Sequence, residues 1–166
     1  MDVGLDVGFG EVKAVISDDG GEISYVVFPS IYAPHNQSSM YSGSEENIVM
    51  VGGKQFVVGE QARRERGTVT LSDFGDIIET IDICMAYLRR QAGVEGDSRI
   101  IASVAPCYWD QREKYRARLE SMFAHVIVVP QGLGAARMMA DQIPGRSRGI
   151  VLDIGYNTVA HLVVDI

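Results

Sequence analysis

Positive charge is scarce in this sequence: 15 Lys and Arg stand against 22 Asp and Glu, a formal net charge of -7 with a pI near 4.9. A surface that grips nucleic-acid phosphates unaided needs clustered excess Lys and Arg, so this balance argues against direct nucleic-acid binding and any link to DNA is expected to run through an adaptor. Cysteine is scarcer still. Cys84 and Cys107 are too few and too far apart for a disulfide framework, and no paired Cys or His spacing suggests a zinc site. A reducing, cytoplasmic setting is therefore expected. No apolar run approaches the ~20 residues of a membrane-spanning helix. The opening Met1-Asp2 leads straight into strand-like sequence, without the basic and apolar regions of a signal peptide. A protein with no membrane partner is the expectation.

What the chain does have is apolar residues, 46% of 166, enough for one compact domain with a real core. Val3 to Ser17 alternates apolar runs with a glycine-bearing turn at Gly8 to Gly10 and predicts a hairpin. A third strand, Ile23 to Phe28, follows the Asp18-Asp19-Gly20-Gly21 turn. Pro34 to Asn47, rich in Ser and Asn, predicts a mobile loop. Ile48 to Val51 and Gln55 to Val58 flank Gly52-Gly53 and predict a second hairpin, part of a small insert over about residues 30–75. Arg63, Arg64 and Arg66 fall on a short helix and read as a solvated face rather than a partner-binding patch.

Helical spacing of Ile77, Ile78, Ile81, Met85 and Leu88 predicts a helix over Asp76 to Arg90, with Gly93 beyond its end. Cys84 lies on or near its apolar stripe and reads as a small buried hydrophobe. Arg99 to Ala105 is a β-branched strand. Asp110-Gln111-Arg112-Glu113 has the pattern of a capping box opening a helix that turns Tyr115, Leu119, Met122 and Phe123 inward, with Trp109 as a packing residue. A strand over His125 to Val129 and a helix over Gln131 to Ile143, stopped by Pro144-Gly145, come next. Gly149 to Ile166 predicts a last pair of strands, on which His161 reads as structural. Strands alternating with helices define an α/β class, a mixed sheet with antiparallel hairpins at its start.

Two distant segments repeat one pattern. Val3-Gly4-Leu5-Asp6-Val7-Gly8-Phe9-Gly10-Glu11-Val12 lies on Ile150-Val151-Leu152-Asp153-Ile154-Gly155-Tyr156-Asn157-Thr158-Val159 without a gap. Gly10 is matched by Asn157, the other residue that tolerates a left-handed backbone. Each copy reads as strand, carboxylate, tight turn, strand. Glycine at such a turn lets backbone N–H groups approach an anion, and an Asp at the strand end can hold hydrated Mg²⁺. Two such turns facing each other would clamp a polyphosphate. Lys13 adds a cation where the second copy has Ala160. Ordinary hairpins with Asp and Gly in their turns are the bland alternative.

The Asp6 to Lys13 pattern D-x-G-x-G-x-x-K resembles the first phosphate loop of the actin, Hsp70 and sugar-kinase superfamily, and Asp153 to Thr158 resembles the second. Val129-Pro130-Gln131-Gly132-Leu133-Gly134-Ala135-Ala136 is similar to the connecting segment. The wording of the loops is most similar to the prokaryotic actin-like group that includes the plasmid-segregating ParM type and its archaeal relatives. This resemblance implies a ribonuclease H-like, actin-type domain I over residues 1–148 and the first hairpin of a domain II over 149–166. It implies an ATPase that forms filaments under nucleotide control, of the DNA-segregating or cytoskeletal type. Asp6 and Asp153 would hold Mg²⁺ through water. Gly8, Phe9, Gly10, Gly155, Tyr156, Asn157 and Thr158 would cradle ATP phosphates, Lys13 would neutralise charge, and Gln131, with Asp153, would serve catalysis by orienting the attacking water. A helix-start polar residue is the other reading of Gln131. Members of the group continue past the second loop into a domain that supplies the adenosine pocket. The 166 residues alone are therefore expected to bind ATP weakly or not at all, and their apolar ending is expected to pair with another chain or swap into an oligomer. A non-catalytic module of the same fold, a pilus-assembly or division ATPase, and a sugar kinase are the competing functions.

Overall fold

The computed structural model describes residues 1–35, 45–142, 148–156 and 158–165. In chain order the elements are β1 (Asp2–Val7), β2 (Glu11–Ser17), β3 (Ile23–Pro29), β4 (Ile31–Pro34), β5 (Ile48–Val51), β6 (Lys54–Val58), β7 (Val69–Thr70), α1 (Phe74–Ala92), β8 (Arg99–Val104), α2 (Arg112–Glu120), β9 (His125–Pro130), α3 (Leu133–Gln142), β10 (Arg148–Ile154) and β11 (Val159–Asp165). Short 3-10 turns occupy Glu45–Asn47, Gly59–Arg64 and Pro106–Gln111.

The main sheet has five strands in the order β3-β2-β1-β8-β9. Its first half is an antiparallel meander, and β8 and β9 add in parallel, each pair of parallel strands joined through a helix. Alternation decides which side is covered. Val3, Leu5 and Val7 on β1, Val12, Ala14 and Ile16 on β2, and Ile100, Ala102 and Val104 on β8 are all buried. They share one apolar cluster with Ile77, Ile81, Met85 and Leu88 of α1 and Tyr115 and Leu119 of α2. Cys84 lies in the same cluster, and burial pushes its thiol up to about 12, so it is the inert hydrophobe its position suggested. The opposite face carries the intervening residues, among them Tyr25, Val15, Ile101 and Ile127, all exposed. Asp6 and Ser103 lie on that face too, at the carboxyl ends of β1 and β8.

A second sheet, order β5-β6-β4-β7, closes around Ile31, Ala33, Val57 and Ala62. The third sheet is the two-stranded ribbon β10-β11. Among the described residues, no helix is long and apolar enough to cross a membrane.

The helix ends differ from expectation in instructive ways. α1 starts at Phe74 because Asp73 and Asp76 form a reciprocal capping box, and it ends at Gly93 in the left-handed region, φ 64°. At α2 the expected capping box does not form. Pro106 opens a 3-10 turn that runs directly into the helix, so Gln111 at the N-cap is already helical and no side chain caps it. Trp109 does pack on the core, and the Arg112 guanidinium lies 5.1 Å from its ring centroid. α3 begins two residues later than expected, at Leu133, and its expected stop at Pro144-Gly145 lies outside the described residues. β4 and β7 were not foreseen. Pro34 closes β4, and residues 36–44 of the expected loop lie outside the described residues.

Candidate functional site

The sequence repeat is a structural repeat. In the first hairpin Asp6 faces Lys13 and Val7 faces Val12; in the second Asp153 faces Ala160 and Ile154 faces Val159, the same register displaced along the chain. Each turn is closed by the same bond: Gly8 N–H donates to Glu11 O at 3.0 Å, and Gly155 N–H donates to Thr158 O at 2.7 Å.

The turns leave little room at their glycines. A Cβ on Gly8 would sit 3.1 Å from Glu11 O, and one on Gly155 would sit 2.9 Å from Thr158 Oγ1. The left-handed backbone expected at Gly10 is not found, since its φ is not positive. Gly10 is small for another reason: a Cβ there would lie 3.2 Å from Tyr156 Cβ, because the tip of the second turn rests on the first. Asn157, the counterpart of Gly10, lies outside the described residues. With Gly8 N–H engaged in the turn, the amides of Phe9 and Gly10 at the tip have no backbone partner among the described residues. The Phe9 ring packs edge-on against Tyr108, centroids 6.0 Å apart, which in turn stacks on Phe74 at 5.1 Å, and all three rings line the cleft on which this turn opens.

Both turns open on one cleft of about 580 Å³, lined by Asp6, Lys13, Gln131, Asp153, Tyr156 and Thr158 among others. Gln131 reaches it because the backbone breaks between β9 and α3. Gln131 N–H extends the β8–β9 edge by bonding Val104 O at 2.8 Å, and Gly132 then turns left-handed at φ 88° before the first α3 bond, Ala136 N–H to Gly132 O. Gln131 therefore precedes the helix and is not a first-turn residue. A Cβ on Gly132 would come within 3.3 Å of Val151 Cγ1, so this corner packs directly on the second hairpin.

Asp6 is the hub. Its Oδ1 accepts from Ser103 Oγ at 2.9 Å and from Gln131 Nε2 at 3.4 Å. Burial raises its pKa above the usual carboxylate value. The Ser103 bond, the Lys13 charge and the Gln131 bond oppose that shift, while the Asp153 carboxylate adds to it. Lys13 also lies 4.0 Å from Glu11 Oε2.

Two cleft residues, Ser103 and Arg63, and one residue behind the first turn, Ser30, are not marked by the sequence repeat. Ser103 interrupts the apolar run that follows Arg99 in its strand, a signal that was available. Ser30, buried, donates its hydroxyl to Gly8 O at 2.6 Å and its amide to Gly10 O at 3.0 Å, so it pins the first turn from behind. Arg63, read as part of a solvated charge run, lines the cleft, whereas Arg64 and Arg66 do not.

Among the described residues no cluster of three or more His, Cys, Asp or Glu could cage a metal. Two carboxylates on one cleft, one of them raised in part by the other, fit instead a hydrated Mg²⁺ that keeps most of its waters and borrows phosphate oxygens.

A mixed five-stranded sheet with two like-registered Asp-Gly hairpins at one cleft is an actin-type α/β domain. A family model described as "Actin like proteins N terminal domain" matches residues 4–134, and the chain belongs to this family of actin-like proteins. Solved structures agree on the fold. Ta0583, an archaeal actin homolog, is 21% identical with a TM-score of 0.75, covering 99% of this chain and 57% of its own. AlfA from a B. subtilis plasmid, in a filament structure, is 14% identical with a TM-score of 0.63, covering 99% of this chain and 71% of its own. MreB5 of Spiroplasma citri bound to AMPPNP is 15% identical with a TM-score of 0.64, covering 99% of this chain and 48% of its own. The chain thus spans little more than half the length of Ta0583. A search of curated proteins gives no match.

Proposed function

We propose that this chain is the phosphate-gripping part of an actin-like ATPase whose nucleotide state controls filament assembly. The observation that carries the reading is the convergence of Asp6 and Asp153, from two hairpins of one register, on a cleft that also holds Lys13 and Gln131.

Phosphoryl transfer to water depends on positioning and charge neutralisation more than on covalent chemistry by the protein. In this reading the amides of Phe9 and Gly10, with Tyr156, Asn157 and Thr158 of the second turn, hold the terminal phosphates of ATP. Gly8 and Gly155 contribute room and the turn-closing bonds. Lys13 balances phosphate charge. Asp6 and Asp153 hold Mg²⁺ through water; when bound, the ion supplies further neutralisation of phosphate charge. Gln131, held over the cleft by the break before α3, orients the attacking water, and Asp153 supports it.

Residues 1–148 form domain I, with the four-stranded sheet as a small subdomain, and the β10-β11 ribbon opens domain II. This division is supported by the ribbon's surface: Ile150, Leu152, Ile154, Val159 and Val163 are all exposed on one face, as expected of a ribbon whose face another layer of structure covers. The net charge of -7 leaves any DNA attachment to an adaptor. Filament ATPases of the actin-like kind are favoured over a sugar kinase because no substrate carboxylate or substrate loop is found in these residues. The test is light scattering and phosphate release by the full-length protein with Mg-ATP and with Mg-ADP. Scattering that rises with ATP and turnover that follows it are expected. A protein that binds no nucleotide overturns the reading, and one that binds but never turns over is the non-catalytic module.

A further inference from the structure

The hairpin repeat accounts for one cation in the cleft and leaves a second unexplained. Arg63 lines the same cavity as Asp6, Lys13, Gln131 and Asp153, yet it comes from the four-stranded sheet's side of the molecule. We propose that Arg63 is a specificity-determining residue whose guanidinium contacts the terminal phosphate of a nucleoside triphosphate and so separates triphosphate from diphosphate. This rests on the nucleotide-binding reading above.

Its position is tied to the first turn. Arg63 sits on the 3-10 turn Gly59–Arg64, whose neighbours Gly59 and Ala62 are buried. A Cβ on Gly59, φ 77°, would lie 3.9 Å from Pro29 and 4.0 Å from Phe28, so the turn is seated on the end of β3. The next residue, Ser30, bonds the carbonyls of Gly8 and Gly10. One short segment, Phe28 to Ser30, therefore fixes both the phosphate turn and the turn that carries Arg63. Arg64 and Arg66, in the same run of charge, do not line the cleft.

Its chemistry suits an oxyanion. Arg63 Nε is paired with Glu60 Oε2 at 3.0 Å, and among the described residues its terminal nitrogens have no other partner. These leave a planar donor edge, the geometry that phosphate takes in two-point fashion. The Glu60 pair is exposed, hence weakly held, and does not compete with a phosphate. Lys13 presents a point charge rather than a fork, and it stands directly across the strand from Asp6. The extra charge that distinguishes a triphosphate from a diphosphate falls to the cation with an open fork.

The experiment is calorimetric titration of Mg-ATP and Mg-ADP into the full-length protein and its Arg63→Ala and Glu60→Gln variants, with thermal melts as a check of folding. Arg63→Ala is expected to weaken ATP by roughly tenfold or more, as loss of a charge-assisted contact should, while ADP changes by less than about twofold. Glu60→Gln removes the surface pair and keeps the guanidinium, so it should retain the wild-type ratio of ATP to ADP affinity. Equal losses for both nucleotides in Arg63→Ala, no loss for either, or a Glu60→Gln variant that copies Arg63→Ala would overturn the proposal while leaving the nucleotide site standing. Failure of the wild-type protein to bind either nucleotide would remove the site itself, and Arg63 with it.

Discussion

Ser103 donates its hydroxyl hydrogen to Asp6 Oδ1 across 2.9 Å, from the position directly beside it on the parallel neighbouring strand. The bond fixes one carboxylate oxygen and lowers the cost of keeping that group ionised in a largely buried place. Ser103→Ala should leave the fold intact and weaken Mg-ATP binding by about tenfold, the usual worth of a hydrogen bond to a charged group. Titration of the full-length variant checks this; unaltered affinity would show that Asp6 needs no such support.

Asp6 makes a pH-dependent prediction. Its folded pKa is raised, by burial first and with Asp153 adding to it, above an ordinary value of 3.8. The folded state then prefers the protonated acid more than the unfolded state does, so the contribution of this group to stability is fully present below 3.8 and is lost as pH rises through the raised value. Asp6→Asn, which cannot ionise, should raise Tm over wild type at pH 7 in the absence of nucleotide. That advantage should shrink as pH falls toward 3.8. A difference in Tm that does not vary with pH would contradict the direction of the shift.

Gln131 and Lys13 divide into separate effects. Gln131→Ala should abolish ATP turnover with nucleotide binding retained, and unchanged turnover would take the water-orienting role from it. Lys13→Ala should weaken ATP more than adenosine, and equal ATP affinity in wild type and variant would count against the first turn as a phosphate loop. Phosphate-release assays and equilibrium titrations read these two out independently.

The contact between the turns can be tested by size. A methyl on Gly10 would meet Tyr156 Cβ at 3.2 Å, so Gly10→Ala must push the second turn outward by a few tenths of an ångström. Because Tyr156 is exposed, stability should fall by less than about 1 kcal/mol, while nucleotide affinity falls with the spacing of the turns. Adding Tyr156→Gly to Gly10→Ala should restore affinity. A single variant that binds as wild type would mean the tips are free to separate.

Local patterns were the legible part. The two hairpins could be read because Asp, Gly and their strands lie within ten residues of one another, and α1 could be read because its apolar residues recur every three or four positions. β4 and β7, of four and two residues, carry no period long enough to notice and exist through their pairing with β6 and with each other. The start of α2 misled because Asp110 and Glu113 have capping-box spacing, while Pro106 had already committed the backbone to a helical turn. Gln131, Asp6 and Asp153 were found through the repeat and the resemblance. Ser30 and Arg63 were not, since Ser30 bonds a turn some twenty residues away, Arg63 reaches the cleft from a separate segment, and nothing in either neighbourhood marks it.

The like register of the hairpins ends at one pair of positions. Opposite Asp6 stands Lys13, and opposite Asp153, at the matching place, stands Ala160. The first wall thereby sets a cation among its carboxylates, Asp6 and Glu11, while the second has no cation opposite Asp153. Two halves of the same shape thus make a receptacle with a direction, since the lysine of the pair stands on the first hairpin and has no counterpart on the second.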